Sequence, residues 1–360
     1  MVESSTINER RFAAADGRRF MASALASCGV PGDEADATSE MMLFADLRGV
    51  DSHGIVRLPS YIARLKAGGI NPRPQIRVVA EAPATALVDG DNGLGHLVMR
   101  RAAEIAIEQA AKNGVAWVGT RRSNHAGAGA CYAAMPLARD MIGLYLAVAN
   151  NNHMAPTGGI EALLGTNPIA IAIPTQDEAP IVLDIATTAT SAGKIRLAAD
   201  NGERLEEGLV MDRAGRPITD PNDAIHGLLL PIGGYKGFGL SLAFSLMGGA
   251  LNGARTGRDT VSIDDAATEG NTGQAIMALN VASFGDVADF KRRVDIVARD
   301  IRTSQPMPGG GEVRYPGING HRTEAARAKA GIPIRPPLAA SLAKLASSLG
   351  IAPLVLGDAR

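Results

Sequence analysis

The constraint that most limits this chain is the shortness of its apolar runs. Val115–Gly119, Ile142–Ala149, Ile169–Ile173, Ile181–Leu183 and Ile276–Val281 are strand-length segments rich in Val, Ile and Leu. Between and before them lie segments with Leu, Met and Ala at helical spacing, so one molecule must hold both kinds of element. An α/β or α+β fold follows. None of the runs approaches the ~20 continuous apolar residues of a membrane helix, and the tract Phe238–Leu251 is interrupted by Gly239, Gly248 and Gly249. A chain of 360 residues is also too long for one simple core and is expected to divide into parts.

Residues 8–48 read as helical, broken by a turn at Gly29–Asp33, where Asp33-Glu34 suits a helix start. Pro59 belongs in the first turn of a helix over Ser60–Lys66 that Gly68-Gly69 terminates. Short strands are predicted at Ile76–Ala80 and Thr85–Val88, and helices at 96–113, 239–251, Val287–Ser304 and Leu338–Leu349. Aromatic residues make up only 4%, so the core must be built from Ala, Leu, Ile and Val. The net charge of −1, without a run of Lys or Arg, gives no footprint for nucleic acid. Cys28 and Cys131 stand far apart and form no CxxC, and no His/Asp/Glu group has ligand spacing, so neither a disulfide framework nor a metal is expected. Met1–Phe20 is polar and lacks the apolar segment of a secretory signal, and a cytoplasmic protein is the expectation.

The chemistry gathers in a few polar segments. Asp51-Ser52-His53-Gly54-Ile55-Val56-Arg57 sets an imidazole beside a hydroxyl and four residues before a guanidinium. A group that moves a hydroxyl proton and a planar cation that holds a carboxylate are what interconversion of 2-hydroxy and 2-keto acids requires. On a helix the two would share a face, as an ordinary solvated surface pair also would; Pro59 favours a turn entering the next helix. Ser123–Gly129 follows a strand and either offers an anion its backbone N–H groups together with His125, a second proton-handling candidate, or is an ordinary polar strand-to-helix loop. Asn150-Asn151-Asn152 suits a ribose or a nicotinamide amide, or a plain turn. Asp184 at a strand end suits orienting an imidazole, binding a ribose hydroxyl or capping a helix. Lys236, flanked by Gly234 and Gly237, can approach a phosphate closely. Arg121-Arg122 can meet a 2′-phosphate or be surface charge, while His96, His226 and His321 have no evident partner and read as structural. No G-x-G-x-x-G opens a helix after a strand, so a dinucleotide needs another scaffold.

Taken in order, these segments resemble the malate/L-lactate dehydrogenase family that lacks a Rossmann fold. That family also includes sulfolactate and ureidoglycolate dehydrogenases, diketogulonate reductase and piperideine-2-carboxylate reductase. The matching pieces are Ala45–Gly49 with Asp51–Arg57, Ser123–Gly129, Gly158-Gly159, Gly165–Pro168, Asp184–Thr187, Gly234–Gly237 and Tyr315-Pro316-Gly317. The resemblance implies a non-Rossmann α/β region over 76–315 that binds the dinucleotide and substrate. It also implies a helical lobe made from 1–75, which carries the Ser-His-Gly-x-x-Arg segment, and from a returning segment over 316–360. It implies His53 as proton donor supported by Ser52 and Asp184, Arg57 as the carboxylate clamp, Thr166 at the substrate, and His125 as a rival proton acceptor. Cofactor contacts are implied at Asn150, Asp184, Ile185, Ala186, Lys236, Gly317, Ile318 and Asn319. Ile318-Asn319 departs from the acidic or amide residue common after that Pro-Gly pair. The resemblance further implies NAD or NADP as cofactor, a small carboxylate substrate and a homodimer with its site near the interface, and neither nucleic acid nor membrane is expected as a partner. Reduction of a cyclic imine carboxylate or diketo sugar acid, and a non-catalytic anion- or nucleotide-binding protein, are the alternative readings.

Overall fold

The computed structural model describes residues 10–357. Along the chain lie β1 (Arg10–Phe12), α1 (Ala14–Ala26), α2 (Gly32–Leu47), α3 (Leu58–Ala67), β2 (Arg77–Ala82), β3 (Thr85–Asp89), α4 (Gly95–Asn113), β4 (Val115–Ser123), α5 (Gly129–Ala133), β5 (Met141–Ala147) and β6 (Ile169–Ile173). There follow β7 (Ile181–Ile185), α6 (Ala192–Asn201), β8 (Val210–Met211), α7 (Pro221–Ala224), β9 (Leu228–Leu229), α8 (Tyr235–Gly248), β10 (Thr272–Asn280), α9 (Val287–Thr303), α10 (Ile318–Ala330), β11 (Ile332–Ile334) and α11 (Pro336–Leu349).

The apolar runs assemble into one mixed sheet in the order β2-β3-β4-β10-β5-β6-β7. Its neighbours are antiparallel except β3 and β4, and α4 supplies the crossover that a parallel pair requires. A sheet so largely antiparallel agrees with the missing dinucleotide fingerprint, which belongs to parallel sheets. Alternate residues face opposite cores, as strand geometry dictates. Ile276 and Ala278 of β10 join the large core with Ala102, Ala103 and Ala106 of α4. Ala275, one residue earlier, packs instead with Leu146 and with Phe244 of α8 on the other face. The large core continues into α1, α2, α3, β1, β11 and α11, and β1 pairs antiparallel with β11, so the early and late parts of the chain share one wall. A small separate core of Ile195, Val210, Ala224 and Leu229 holds α6, β8, α7 and β9 together. No helix among the described residues is long and apolar enough to cross a membrane.

The foreseen strands and long helices are present, with bounds shifted by a few residues. β4 runs on to Ser123 because Ser123 still pairs with Thr272 of β10. α8 starts at Tyr235, four residues before the expected 239, because Gly234 in the left-handed region (φ 65°) ends the preceding turn there. The sequence reading did not anticipate β1, β11, α6, α7 or α10.

One buried carboxylate fixes the far end of the sheet. Asp295 of α9 is 4% exposed and accepts the N–H groups of Gln176, Asp177 and Glu178 in the β6–β7 turn at 3.0, 2.8 and 3.4 Å. Replacing Asp295 with Ala leaves those donors without their acceptor. Urea unfolding is expected to show a loss of about 2–4 kcal/mol.

Candidate active site

The segment 51–57 is a loop shaped from behind. Asp46, on α2 and 2% exposed, accepts the Ile55 N–H at 2.9 Å. The same carboxylate lies so close to Gly54 that a Cβ there would collide with it. Burial pushes the Asp46 carboxyl up to about 7; the Ile55 N–H opposes the shift, Asp51 adds to it and Arg327 opposes it. Asp51 itself is held by Arg327 of α10. The loop then closes a 3₁₀ turn at Ile55–Arg57 and enters α3 with Pro59 in the first turn and Gly68 (φ 85°) at the end. His53 and Arg57 are therefore not on one regular helix. Arg57 folds back so that its Nε donates to the Ser52 carbonyl at 2.7 Å.

Two imidazoles meet beside that cation. The rings of His53 and His125 stack with centroids 5.6 Å apart and planes 24° from parallel. His53 Nδ1 lies 2.7 Å from Ser52 Oγ, and His125 Nδ1 lies 2.6 Å from the Tyr61 hydroxyl. Desolvation, then the charge of Arg57, lowers the His53 pKa to about 4. His125 is pushed well below its ordinary value by burial, then by Arg57, His53 and His96. Both rings are thus neutral around neutral pH, and Arg57 is the charge that dominates the spot.

The loop carrying His125 is rigid. Asn124 donates to the Gly93 carbonyl at 2.9 Å and its own carbonyl accepts from Gln274 at 2.9 Å, while the Tyr132 hydroxyl donates to the Ala126 carbonyl at 2.5 Å. Gly95, which opens α4, lies against the carbonyls of Asn124 and His125 with no room for a Cβ.

The remaining expected residues are spread along the sheet ends. Asp184 is not bonded to His53. Its Oδ2 accepts the Ala130 N–H at 2.9 Å in the first turn of α5, so the carboxylate fixes the helix after His125, while the His53 ring is held by Ser52 and by its stacking on His125. Asp184 is hemmed in by protein yet open to solvent on one side, and the desolvation that pushes its carboxyl up to about 6 applies in full only with that side covered. Ile185 is exposed and Ala186 half-buried beside it. Thr166 is half-buried, its carbonyl taken by the Thr187 N–H and hydroxyl. Asn150 turns its amide onto Thr272 Oγ1 at 2.5 Å. Lys236 is exposed in the first turn of α8. Gly317 (φ 98°) packs against β7 so closely that a Cβ would strike the Val182 nitrogen. Ile318 is buried among Ala298 and Tyr315, so its side chain is core and only its backbone can face a ligand, whereas Asn319 is exposed. Arg121 and Arg122 both pair with Asp89, and Arg122 also with Asp91, so these charges are already met within the chain.

The sequence profile described as malate/L-lactate dehydrogenase matches residues 12–343. The chain belongs to the malate/L-lactate dehydrogenase family. L-sulfolactate dehydrogenase of Methanocaldococcus jannaschii is 39% identical over 337 residues, 93% of this chain and 96% of that protein. Malate dehydrogenase of Pyrococcus horikoshii is 35% identical over 341 residues, 92% of this chain and 93% of that protein. The solved structure of the M. jannaschii sulfolactate dehydrogenase superposes with a TM-score of 0.89 at 38% identity, covering 95% of this chain and 98% of its own.

In this malate/L-lactate dehydrogenase family member, sequence reasoning passed over Tyr61, four residues after Arg57, and Asp46, inside a segment quoted only for resemblance. His96, read as structural, is enclosed directly behind the His125 loop. The raised Asp46 pKa has a measurable sign. Between the unfolded value near 4 and the folded value of about 7, the folded chain holds a proton that the unfolded chain has released, so this group's contribution to stability falls as pH rises through that window. Asp46→Asn removes this dependence. The stability of that variant minus that of the parent, measured by urea unfolding, is expected to grow from pH 4 to pH 7.

Proposed function

We propose that this protein is an NAD(P)-dependent dehydrogenase that interconverts a small 2-hydroxy acid and its 2-keto acid. The observation that carries this reading is the stacked pair His53 and His125 beside a guanidinium pinned at 2.7 Å to the backbone of the same loop. Its relatives' names, sulfolactate and malate dehydrogenase, support the same substrate class. In the oxidising direction Arg57 holds the substrate carboxylate, and a neutral His53 accepts the hydroxyl proton while Ser52 keeps its ring in place. A nicotinamide held alongside would supply the hydride acceptor for the substrate carbon.

The donor set fits such a cofactor. Gly233 and Gly234 both adopt left-handed backbone (φ 58° and 65°) with no atom near their missing side chains. They expose the first turn of α8, where the N–H groups of Tyr235 and Lys236 and the Lys236 ammonium suit a phosphate. Asp184, Ile185 and Ala186 lie at the C-terminal end of β7, and the Gly317–Asn319 backbone packs on its beginning at Pro180 and Val182; both are assigned to the same cofactor from the family resemblance. Thr166 and Asn150 are assigned to substrate and cofactor from the family resemblance. NAD and NADP are left to the assay, since the Arg121-Arg122 pair is already engaged by acids.

The test is a panel of 2-hydroxy acids, including malate, lactate and sulfolactate, with each cofactor, read as absorbance at 340 nm. His53→Ala is expected to lower kcat by about 10²–10⁴-fold, and Arg57→Ala to act chiefly on the KM for the acid. Absence of oxidation with every acid and both cofactors overturns the reading. Reduction of a piperideine-type imine carboxylate in its place would move the protein to the reductase branch of the family.

We further infer a cytoplasmic homodimer. The cysteines Cys28 and Cys131 are both free thiols, as a reducing compartment allows. α8 and the turn after it expose Leu240, Leu242, Leu246, Met247 and Leu251, an apolar strip larger than scattered surface residues make. A second copy covering this strip would lie next to the α8 end assigned to the cofactor. Leu246→Glu is expected to convert the dimer to monomer in light scattering.

A further inference from the structure

Both histidines could in principle move the proton, and their surroundings divide the work between them. His125 Nδ1 receives two donors: the Tyr61 hydroxyl at 2.6 Å and the Gly127 N–H at 3.3 Å. A backbone N–H can only donate, so Nδ1 must accept, and the single ring hydrogen of the neutral imidazole sits on Nε2. His53 faces a different partner. Ser52 Oγ can donate or accept, so His53 Nδ1 is satisfied in either tautomer and in either charge state.

The two donors are held by the same neighbour. Tyr61 is 1% exposed, and its ring meets His96 edge-on, with centroids 5.3 Å apart and planes at 82°. Gly127 (φ 71°) lies against His96 Nε2 so closely that a Cβ would stand 2.9 Å from it. His96 is fully buried at the start of α4 and neither ring nitrogen has a partner among the described residues, which makes it a neutral wall behind the two donors. Burial also holds the Tyr61 hydroxyl above its ordinary pKa, so it keeps the proton it donates. The groups facing His125 are therefore His53, Tyr61, His96 and Arg57, and they offer no carboxylate to stabilise a second positive charge.

We propose that Tyr61 is a positioning residue that, with the Gly127 N–H, locks His125 as a fixed Nε2–H donor to the substrate oxygen and leaves His53 as the group that moves the proton. This assignment rests on the dehydrogenase reading for its catalytic meaning, but the tautomer itself does not depend on that reading. A neutral imidazole N–H aimed at the oxygen that gains charge in the keto acid polarises it without exchanging a proton.

The experiment is long-range ¹H–¹⁵N correlation of the histidine rings in the ¹⁵N-labelled full-length protein, with His125 assigned by His125→Asn. The parent is expected to show His125 as the Nε2–H tautomer from pH 6 to pH 8. Tyr61→Phe keeps the ring and its packing on His96, so an unchanged melting temperature is expected. With only the longer Gly127 N–H contact left on Nδ1, part of His125 should nonetheless pass to the Nδ1–H tautomer, and kcat should fall at least about tenfold, with KM for the acid little changed. A parent spectrum showing His125 as Nδ1–H, or doubly protonated in that range, overturns the lock. A Tyr61→Phe protein with the pure Nε2–H pattern and undiminished kcat removes Tyr61 from the role. If the tautomers are as expected but no hydroxy acid is oxidised, the lock stands and the dehydrogenase reading falls.

Discussion

The geometry of the site depends on a carboxylate that never reaches it. Asp46 is buried behind the 51–57 loop, holds the Ile55 N–H, and fills the space where any residue larger than glycine at position 54 would project. A loop of that length carries many conformations, and fixing it costs roughly 1–2 kcal/mol per residue of backbone entropy. Asp46 on one side, the Asp51–Arg327 pair on the other and the Arg57–Ser52 bond within reduce those conformations to one. Only then do Ser52, His53 and Arg57 have fixed directions. The carboxyl bears the electrostatic cost as its raised pKa.

The electrostatics around Arg57 follow from the same economy of charge. Three imidazoles, those of His53, His96 and His125, cluster near one guanidinium, and all are shifted toward neutrality by burial first. Protonating any of them would place a second cation in poorly solvated surroundings. A bound carboxylate reverses that balance by compensating Arg57. On the proposed dehydrogenase reading, a carboxylate substrate on Arg57 is thereby coupled to the proton affinity of His53.

Much of this was legible in the sequence, for physical reasons. The strands were readable because β-branched runs between turn residues have few other uses, and α4 and α9 because their apolar spacing persists over many turns. His53, Arg57 and His125 stood out as residues whose chemistry is seldom needed for packing. What escaped depends on partners distant in sequence. β1 and β11 are three residues each and exist through each other, and α10 has no strong apolar stripe, being held by Gly317 against β7 and by ion pairs to the α2 region. Asp184 was read as a partner for His53, and nothing in its local sequence shows that Ala130, 54 residues away, claims it instead. Tyr61 and His96 look like ordinary helix residues until the fold brings them behind His125.

The pairing of β1 with β11 has a consequence for how the molecule comes into being. Arg327, which holds Asp51, is 276 residues downstream of it, and β11 and α11 join the large core that also takes in Ile55 of the loop. During synthesis the 51–57 loop emerges early and stays without its Arg327 buttress until α10 has been made. The residues proposed to handle the proton are thus made well before the residue that completes their support.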